Sequence, residues 1–265
     1  MTETITSIKN PNIKHLIRLQ QKSSERKKEQ IFVLEGKREL THCINAGYSI
    51  NSVFVNRELI DISELPLGNA CRVYEVSDDV YSKIAYREGT EGVVALVTTP
   101  SHSLNSLSLP ANPIVVVLEG VEKPGNLGAI LRSADAAGVD AVIFCDPLTD
   151  LYNPNLIRAS IGAVFTVPCA VASSSECISF LKDRNIAILT AQLQDSKLYY
   201  DTPMNCPTAI VMGTEATGLT NRWREAADAH IRIPMLGRLD SLNVSVSAAI
   251  LMFEAVRQRQ KENRI

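Results

Sequence analysis

The sequence lacks several features that mark common classes of protein. No apolar run approaches the ~20 residues that cross a membrane, and the opening MTETITSIKN has no apolar core of a signal peptide. We therefore expect a cytoplasmic protein. No Gly-x-Gly-x-x-Gly follows an apolar strand, which argues against a Rossmann nucleotide site.

Metal-binding patterns are also missing. The six cysteines form no Cys-x-x-Cys pair, and the four histidines complete no metal-binding spacing. We expect no bound metal and interpret the cysteines as buried thiols. These residues are Cys43, Cys71, Cys145, Cys169, Cys177 and Cys206, with His15, His42, His102 and His230.

The chain has 265 residues, 45% of them hydrophobic, which is enough for two modest domains. In the N-terminal part, short apolar runs alternate with helical patterns, which predicts a small mixed α/β domain. A segment rich in Ser, Asn and Pro over residues 100–112 predicts a linker between domains of residues 1–99 and 113–265. Predicted strands cover 32–34, 52–55, 73–76 and 93–97, and predicted helices cover 37–46 and 78–85.

Charge is unevenly placed along the chain. The formal net charge of −2 argues against indiscriminate binding of polyanions, yet cations crowd the N-terminal segment. One interpretation is the solvated face of a single helix over residues 13–28, whose apolar side chains Ile13, Leu16, Ile17 and Leu19 pack inward. The same cations become a phosphate-contacting surface only if other segments of the chain indicate a nucleic-acid substrate. The cations are Lys9, Lys14, Arg18, Lys22, Arg26, Lys27, Lys28, Lys37 and Arg38.

Three later segments combine apolar strands with polar loops. The first runs from the strand IVVVL through PGNLGAILR into a helix that ends at Gly138, with Asn126 at the predicted N-cap and Arg132 nearby. Leu127, Ile130, Leu131 and Ala134 are predicted to face the core. The second, AIVMGTEATGL, is a buried strand and a loop that holds Glu215 between glycines.

The third segment, IPMLGRLDSLNVSVSAAILMFEA, joins a proline-containing loop to a helix. Its hydroxyl and amide side chains would be buried at a cost unless something satisfies them. Either Asn243 or Ser241 can cap the helix, in which Val246, Ile250, Phe253 and Val256 form an apolar stripe at helical spacing. Beside this stripe, Ala248, Ala249, Met252 and Ala255 make the helix apolar over more than one face, which suits burial on both sides.

Each polar residue also has an ordinary structural explanation. Arg132 could be a surface arginine paired with Asp135 or Glu122, and Glu215 could be a carboxylate that favours a helix start. Asn243 and Ser241 could be simple caps, or caps and ligands at once.

Together and in this order, the three segments resemble the motifs of the SpoU, or TrmH-type, RNA ribose 2'-O-methyltransferases of the SPOUT class. The first motif matches at Asn126, Gly128 and Arg132, the second at Glu215, and the third at SLNVS within residues 233–247. The chain departs from the second motif, since Thr214 and Ala216 stand where the family usually has an amide-type residue and a glycine.

The resemblance implies an α/β fold whose C-terminal SPOUT domain contains a deep trefoil knot and binds S-adenosylmethionine. Gly213, Ile233 and Leu242 would contact this cofactor largely through backbone atoms, and Leu193, Met212, Gly218 and Met235 would line the pocket. The acceptor side would use Asn126, Arg132, Glu215, Ser241 and Asn243. The family's proposed base is Arg132, but a guanidinium with a pKa above ~12 is better suited to orienting the acceptor and stabilising an alkoxide.

The resemblance extends to residues 5–40, which are similar to the start of the family's L30e-like RNA-binding domain. It implies an RNA substrate, ribosomal RNA rather than transfer RNA, and a homodimer. Two alternatives remain from the sequence: an RNA-binding protein that has lost catalysis, and a methyltransferase that acts on a small molecule.

Overall fold

The computed structural model describes residues 2–68, 71–86 and 91–262, and its chain forms two compact units. The first unit consists of Met1–Pro100 and Asp150–Thr166, and the second of Ser101–Thr149 and Val167–Ile265. The first unit therefore includes a segment that the predicted division assigns to residues 113–265.

The first unit is built on a five-stranded mixed sheet in the order β1-β4-β3-β5-β2. β1, β4 and β3 are parallel, and β5 runs antiparallel to both β3 and β2. The structure confirms the predicted strands and helices of this region with slightly longer strands, and it adds β1, which the sequence analysis missed. Its elements are β1 (Thr2–Ile5), α1 (Pro11–Gln21), α2 (Ser23–Glu29), β2 (Ile31–Glu35), α3 (Lys37–Asn45), β3 (Ile50–Val55), β4 (Arg72–Val76), α4 (Asp78–Ile84) and β5 (Val93–Thr98).

The basic N-terminal segment forms two helices, so the prediction of a single helix is wrong. Lys22 has an extended backbone and separates α1 from α2, where Ser23 and Ser24 favour a helix boundary over a helix interior. Ile13, Leu16 and Leu19 are buried on α1 as predicted. Ile17 is partly buried against the same core.

Arg26 does not face solvent as the phosphate-binding prediction requires. Its side chain is 4% exposed, and its Nε donates to Asp150 Oδ2 over 2.5 Å while its Nη1 donates to the carbonyl of Leu19 over 2.5 Å. A buried guanidinium needs such partners because desolvation of an unpaired charge is costly. We therefore withdraw Arg26 from the predicted RNA-contacting residues.

The second unit is built on a seven-stranded sheet in the order β10-β12-β9-β11-β6-β7-β8, in which every pair is parallel. Its central strands are mostly apolar, as expected when both faces of a parallel sheet are covered. The remaining elements in chain order are β6 (Ile114–Glu119), α5 (Pro124–Ala137), β7 (Ala141–Cys145), α6 (Pro154–Ser160), α7 (Ala163–Thr166), β8 (Cys169–Ala172), α8 (Ser174–Asp183), β9 (Ala187–Ala191), β10 (Lys197–Leu198), β11 (Thr208–Met212), α9 (Asn221–Ala226), β12 (Ala229–Arg232) and α10 (Val244–Glu262). Of these, α6 and α7 belong to the first unit.

Two aromatic contacts hold the segment of α6 and α7 in the first unit. Tyr152 stacks on Phe32 with ring centroids 4.0 Å apart, and Phe165 meets Tyr48 edge-on at 5.3 Å. Large aromatic rings contribute much of the burial in a core. These contacts therefore explain why Asp150–Thr166 belongs to the first unit, which composition did not predict.

The segment predicted as a linker is packed. Leu104, Leu107 and Leu109 lie against the core of the second unit, and the carbonyl of His102 accepts a hydrogen bond from Val171 N over 2.7 Å. None of the helices in the described ranges is long and apolar enough to cross a membrane.

The last helix, α10, packs against α5 and against β6 and β11. Its inward side chains are Val244, Ala248, Leu251, Met252 and Ala255, all buried. Two members of the apolar stripe, Val246 and Phe253, are each 47% exposed. The helix is apolar on more than one face, so its periodicity alone could not identify the face that meets the core.

The cysteines only partly match their interpretation as buried thiols. All six are free; Cys43, Cys145, Cys169 and Cys177 are buried, but Cys206 is exposed and Cys71 is intermediate. Burial raises the pKa of the Cys43 and Cys169 thiols to about 12, so these residues behave as small apolar side chains.

Candidate active site

The candidate site lies at the carboxyl ends of the parallel strands in the second unit. β11 pairs with β6 on one side and β9 on the other, and β9 also pairs with β12. The segments that follow these strands therefore emerge at one edge of the sheet, which is the usual position of ligand sites in open α/β sheets.

Three predicted residues from three different segments meet at Glu215. Its Oε1 accepts hydrogen bonds from Asn126 Nδ2 over 2.8 Å and Asn243 Nδ2 over 3.1 Å, and Asn243 Nδ2 also lies 3.1 Å from Asn126 Oδ1. Its Oε2 forms an ion pair with Lys123 Nζ. We refer to Lys123, Asn126, Glu215 and Asn243 as the carboxylate–amide cluster.

Lys123 was missed by the sequence analysis. It precedes the proline that begins α5, and its backbone occupies the N-cap position of that helix. No hydrophobic periodicity distinguishes Lys123 from other surface lysines. The only signal in the sequence is that a cation stands three residues before Asn126, in the loop that approaches Glu215.

The cluster favours the ionised form of Glu215. The hydrogen bond from Lys123 lowers the pKa of the Glu215 carboxyl, and Asn126 and the backbone N–H of Val244 lower it further against partial desolvation. An ionised carboxylate only accepts hydrogen bonds, so Glu215 orients the amide groups of Asn126 and Asn243 with their N–H donors toward itself.

Asn243 caps α10 and belongs to the cluster at the same time. Its Oδ1 accepts hydrogen bonds from Ser245 N over 3.0 Å and Ser245 Oγ over 2.6 Å. Ser241 makes a hydrogen bond to Asp240 and does not cap the helix. Asn126 lies in the first turn of α5 and does not cap it, which corrects the predicted N-cap.

A cavity of about 600 Å³ opens beside the cluster. Among the predicted acceptor residues, Glu215, Ser241 and Asn243 line it, whereas Asn126 and Arg132 do not. The cavity brings together all the residues predicted to contact the cofactor: Leu193, Met212, Gly213, Gly218, Ile233, Met235 and Leu242.

The loop that carries Glu215 depends on a close approach between two glycines. A Cβ at Gly213 would overlap the carbonyl group of Gly218 and lie 2.5 Å from Leu219 N. Thr214 and Gly218 form an antiparallel bridge, with Gly218 at a φ of +68°. Thr214 Oγ1 accepts a hydrogen bond from Thr217 N over 3.0 Å, so the departure from the motif at Thr214 supports the turn.

The far end of this loop is held by a buried carboxylate that the sequence analysis did not select. Glu119, at the end of β6, is 6% exposed. It accepts hydrogen bonds from Thr220 N and Thr220 Oγ1, both over 2.8 Å, and from Ser174 Oγ over 3.1 Å. The available signal was a glutamate at the end of an otherwise apolar strand.

Arg132 stands apart from the cluster on α5. Its side chain is exposed and makes no hydrogen bond or ion pair with any residue that the structure describes. The buried residues of α5 include Leu127, Ile130, Leu131 and Ala134, as predicted. Arg132 is therefore on the solvent side of the helix, where a ligand can reach it.

The described part of the chain contains no group of three or more His, Cys, Asp or Glu side chains arranged to hold a metal ion. A cavity of this size at the edge of a parallel sheet, lined by apolar and polar side chains together, is typical of proteins that bind a small organic molecule.

Comparison with known proteins identifies the family. The model of the SpoU rRNA Methylase family matches residues 113–253, and the model of the MRM3-like substrate binding domain matches residues 10–95. The chain belongs to the SpoU rRNA methylase family.

Similar proteins extend over nearly the whole chain. The 23S rRNA (guanosine(2553)-2'-O)-methyltransferase RlmP of Bacillus subtilis (strain 168) is 29% identical over 94% of this chain and 97% of its own. A crystal structure of an RNA 2'-O ribose methyltransferase is 39% identical, with a TM-score of 0.83 over 97% of this chain and 99% of its own. An AdoMet-bound rRNA methyltransferase from Sinorhizobium meliloti is 29% identical, with a TM-score of 0.89 over 97% and 98%.

The glycine contact at the loop gives a direct prediction. We expect Gly213→Ala to lower the free energy of unfolding by ~1–3 kcal/mol, because the added methyl group must push apart the backbones of Gly213 and Gly218. Gly125→Ala is the matched control, since a Cβ there meets no atom within 4 Å. Urea denaturation measures both, and equal stability of the two variants would contradict this account of the loop.

Proposed function

We propose that this protein transfers a methyl group from S-adenosylmethionine to the 2'-hydroxyl of a nucleotide in ribosomal RNA. The observation that carries the proposal is the carboxylate–amide cluster at the edge of a cavity lined by every predicted cofactor residue. Relatives named as 23S rRNA 2'-O-methyltransferases and a solved neighbour described as AdoMet-bound support it.

The cavity suits the cofactor in size and chemistry. About 600 Å³ falls within the range of small-molecule sites, and Met212, Ile231 and Leu251 give it an apolar lining. Two buried polar atoms in this lining, Gln192 Oε1 and Arg224 Nε, have no hydrogen-bond partner among the described residues.

The cofactor residues divide by their chemistry. We infer that Gly213, Ile233 and Leu242 hold the cofactor through backbone groups, while Leu193, Met212, Gly218 and Met235 exclude water around it. When bound, S-adenosylmethionine supplies an electrophilic methyl group on a sulfonium. Positioning the acceptor oxygen in line with that group is the task of the neighbouring side chains.

On the acceptor side, Glu215 holds the amides of Asn126 and Asn243 in one orientation. A fixed amide needs no reorganisation when it binds a ribose hydroxyl. Ser241 lies at the cavity with a hydroxyl that can join them. Arg132 carries an exposed, unpaired guanidinium, which we assign to the acceptor phosphate and ribose and to the developing alkoxide. A guanidinium is an N–H donor with no acceptor and is poorly suited to removing a proton.

Replacing Arg132 tests this assignment. We expect Arg132→Ala and Arg132→Lys each to slow single-turnover methylation by ~10²–10³, because lysine keeps the charge but loses the planar fork. Both variants should bind the cofactor normally, since Arg132 does not line the cavity. Lys182→Ala, at an exposed lysine of α8, is the control. Near-normal rates in both Arg132 variants would make this residue an ordinary surface arginine.

We also propose that residues 1–99 form an L30e-like RNA-binding domain and that residues 113–265 carry the methyltransferase activity. Exposed cations on α1 and α2 and the match to a substrate binding domain support the first assignment. Lys37 and Arg38 are engaged with Glu64 and Glu39, which leaves them less available to phosphate. The exposed candidates are Lys9, Lys14, Arg18, Lys22, Lys27 and Lys28.

Salt dependence tests the binding of phosphate groups by these cations. The double variant Lys14→Gln/Lys28→Gln should bind ribosomal RNA more weakly, and the slope of log K against log salt should become shallower by ~0.7–0.9 for each phosphate that is no longer neutralised. Lys182→Gln/Lys197→Gln removes the same charge from exposed lysines of the second unit. Identical slopes for the two double variants would reject a specific role for α1 and α2.

We further propose a homodimer in which α10 contacts a second copy of the chain. Val246 and Phe253 leave apolar surface exposed on a helix whose other face is already buried, and clustered apolar exposure marks interaction surfaces. Phe253→Glu should convert the dimer to a monomer in sedimentation analysis, whereas Leu148→Glu, at an exposed leucine outside α10, should not. A monomeric wild-type protein would contradict the proposal.

The resemblance also leads us to propose a deep trefoil knot in the second unit and a cytoplasmic location. The placement of β11 between β6 and β9, with the loop from Gly213 to Thr220 fastened to Glu119, is compatible with a threaded chain. An experimental chain trace without threading would refute the knot. Cell fractionation that finds the protein in a membrane or extracellular fraction would refute the location.

A further inference from the structure

The cavity contains a cation whose partner is missing from the described residues. Arg224 lines the cavity, and its Nε is buried without a hydrogen-bond partner. No ion pair joins its guanidinium to a carboxylate within the described ranges. A guanidinium at a cavity wall with no anionic partner can bind an anionic group of a ligand through its remaining N–H donors.

The other charged groups around the cavity already have partners. Arg232 Nη1 donates to the carbonyl and hydroxyl oxygens of Ser196. Glu215 is paired with Lys123, and Asp240 accepts a hydrogen bond from Ser241. Arg224 is therefore the cavity cation most available to an anion.

The fold fixes the position of Arg224 on α9. The neighbouring Trp223 is fully buried, and its Nε1 donates to Ser174 Oγ over 3.1 Å. Ser174 Oγ also lies 2.6 Å from Asp146 Oδ2, so its single hydroxyl proton is shared between this carboxylate and Glu119. This anchoring holds the short helix in place, so the guanidinium of Arg224 is presented to the cavity by a rigid element.

The inference rests on the proposed cofactor. S-adenosylmethionine has one anionic group, the carboxylate of its methionine moiety, while its adenine and ribose are neutral and its sulfonium and ammonium are positive. A guanidinium pairs with a carboxylate through two parallel hydrogen bonds. We propose that Arg224 binds this carboxylate and thereby selects ligands that carry the amino-acid end.

A comparison of two adenosine ligands distinguishes the pairing of Arg224 with the carboxylate from general binding in the cavity. S-adenosylhomocysteine keeps the carboxylate, whereas 5'-methylthioadenosine lacks the whole amino-acid end. Calorimetry on the full-length protein should show that Arg224→Met weakens S-adenosylhomocysteine by about 10–100-fold, as expected for one charge-assisted pair. The affinity for 5'-methylthioadenosine should stay within about 2-fold, because that ligand has no carboxylate to pair with the guanidinium.

Two further variants sharpen the test. Arg222→Met, at an exposed arginine of the same helix, removes the same charge and should change neither affinity. Arg224→Lys should bind S-adenosylhomocysteine with an intermediate affinity, because a lysine retains the charge without the planar fork. Thermal unfolding of every variant reports whether α9 remains folded.

Each outcome supports or overturns the assignment. A selective loss of S-adenosylhomocysteine affinity in a folded Arg224→Met protein supports it. Unchanged affinities, or equal losses for both ligands, overturn it while leaving the proposed methyltransferase function intact. A wild-type protein that binds neither ligand overturns the cofactor proposal itself, and with it this assignment.

Discussion

The candidate site depends on the buried carboxylate of Glu119. It ends the apolar strand β6, and the hydrogen bonds from Thr220 and Ser174 satisfy it in a region almost closed to water. Ser174 also receives the indole N–H of Trp223. One carboxylate thus fastens the end of the Glu215 loop and, through Ser174, the helix α9. Without these donors, burial of the Glu119 carboxylate would be strongly unfavourable. The position of the loop and that of the end of β6 therefore depend on each other.

The core of the site could be predicted because its residues follow parallel strands. Asn126, Glu215 and Asn243 come from distant parts of the sequence, but parallel pairing brings the ends of β6 and β11 to one edge. The match of three ordered motifs added chemistry that spacing alone did not supply. The strands themselves were predictable because continuous apolar runs of this length are typical of buried parallel strands.

The features that were missed depend on tertiary contacts that leave little trace in local sequence. Lys123 and Arg224 are single cations whose roles come from what faces them across the fold. Arg26 lies in a run of cations that resembles a phosphate-binding surface. Its side chain is nevertheless buried, because it pairs with Asp150, which is distant in the sequence. The inward face of α10 could not be assigned from sequence because more than one face is apolar, and only the packing against α5 distinguishes them.

The double use of Asn243 restricts which amino acid can occupy that position. Its Oδ1 must accept hydrogen bonds from Ser245, while its Nδ2 must donate to Glu215 and Asn126. Aspartate would cap the helix equally well but would place a second negative charge against Glu215. Serine would also cap the helix, but its hydroxyl is too short to reach both Ser245 and Glu215. Because one planar amide serves both, the capping of α10 and the orientation of the donor that faces Glu215 are coupled through a single side chain.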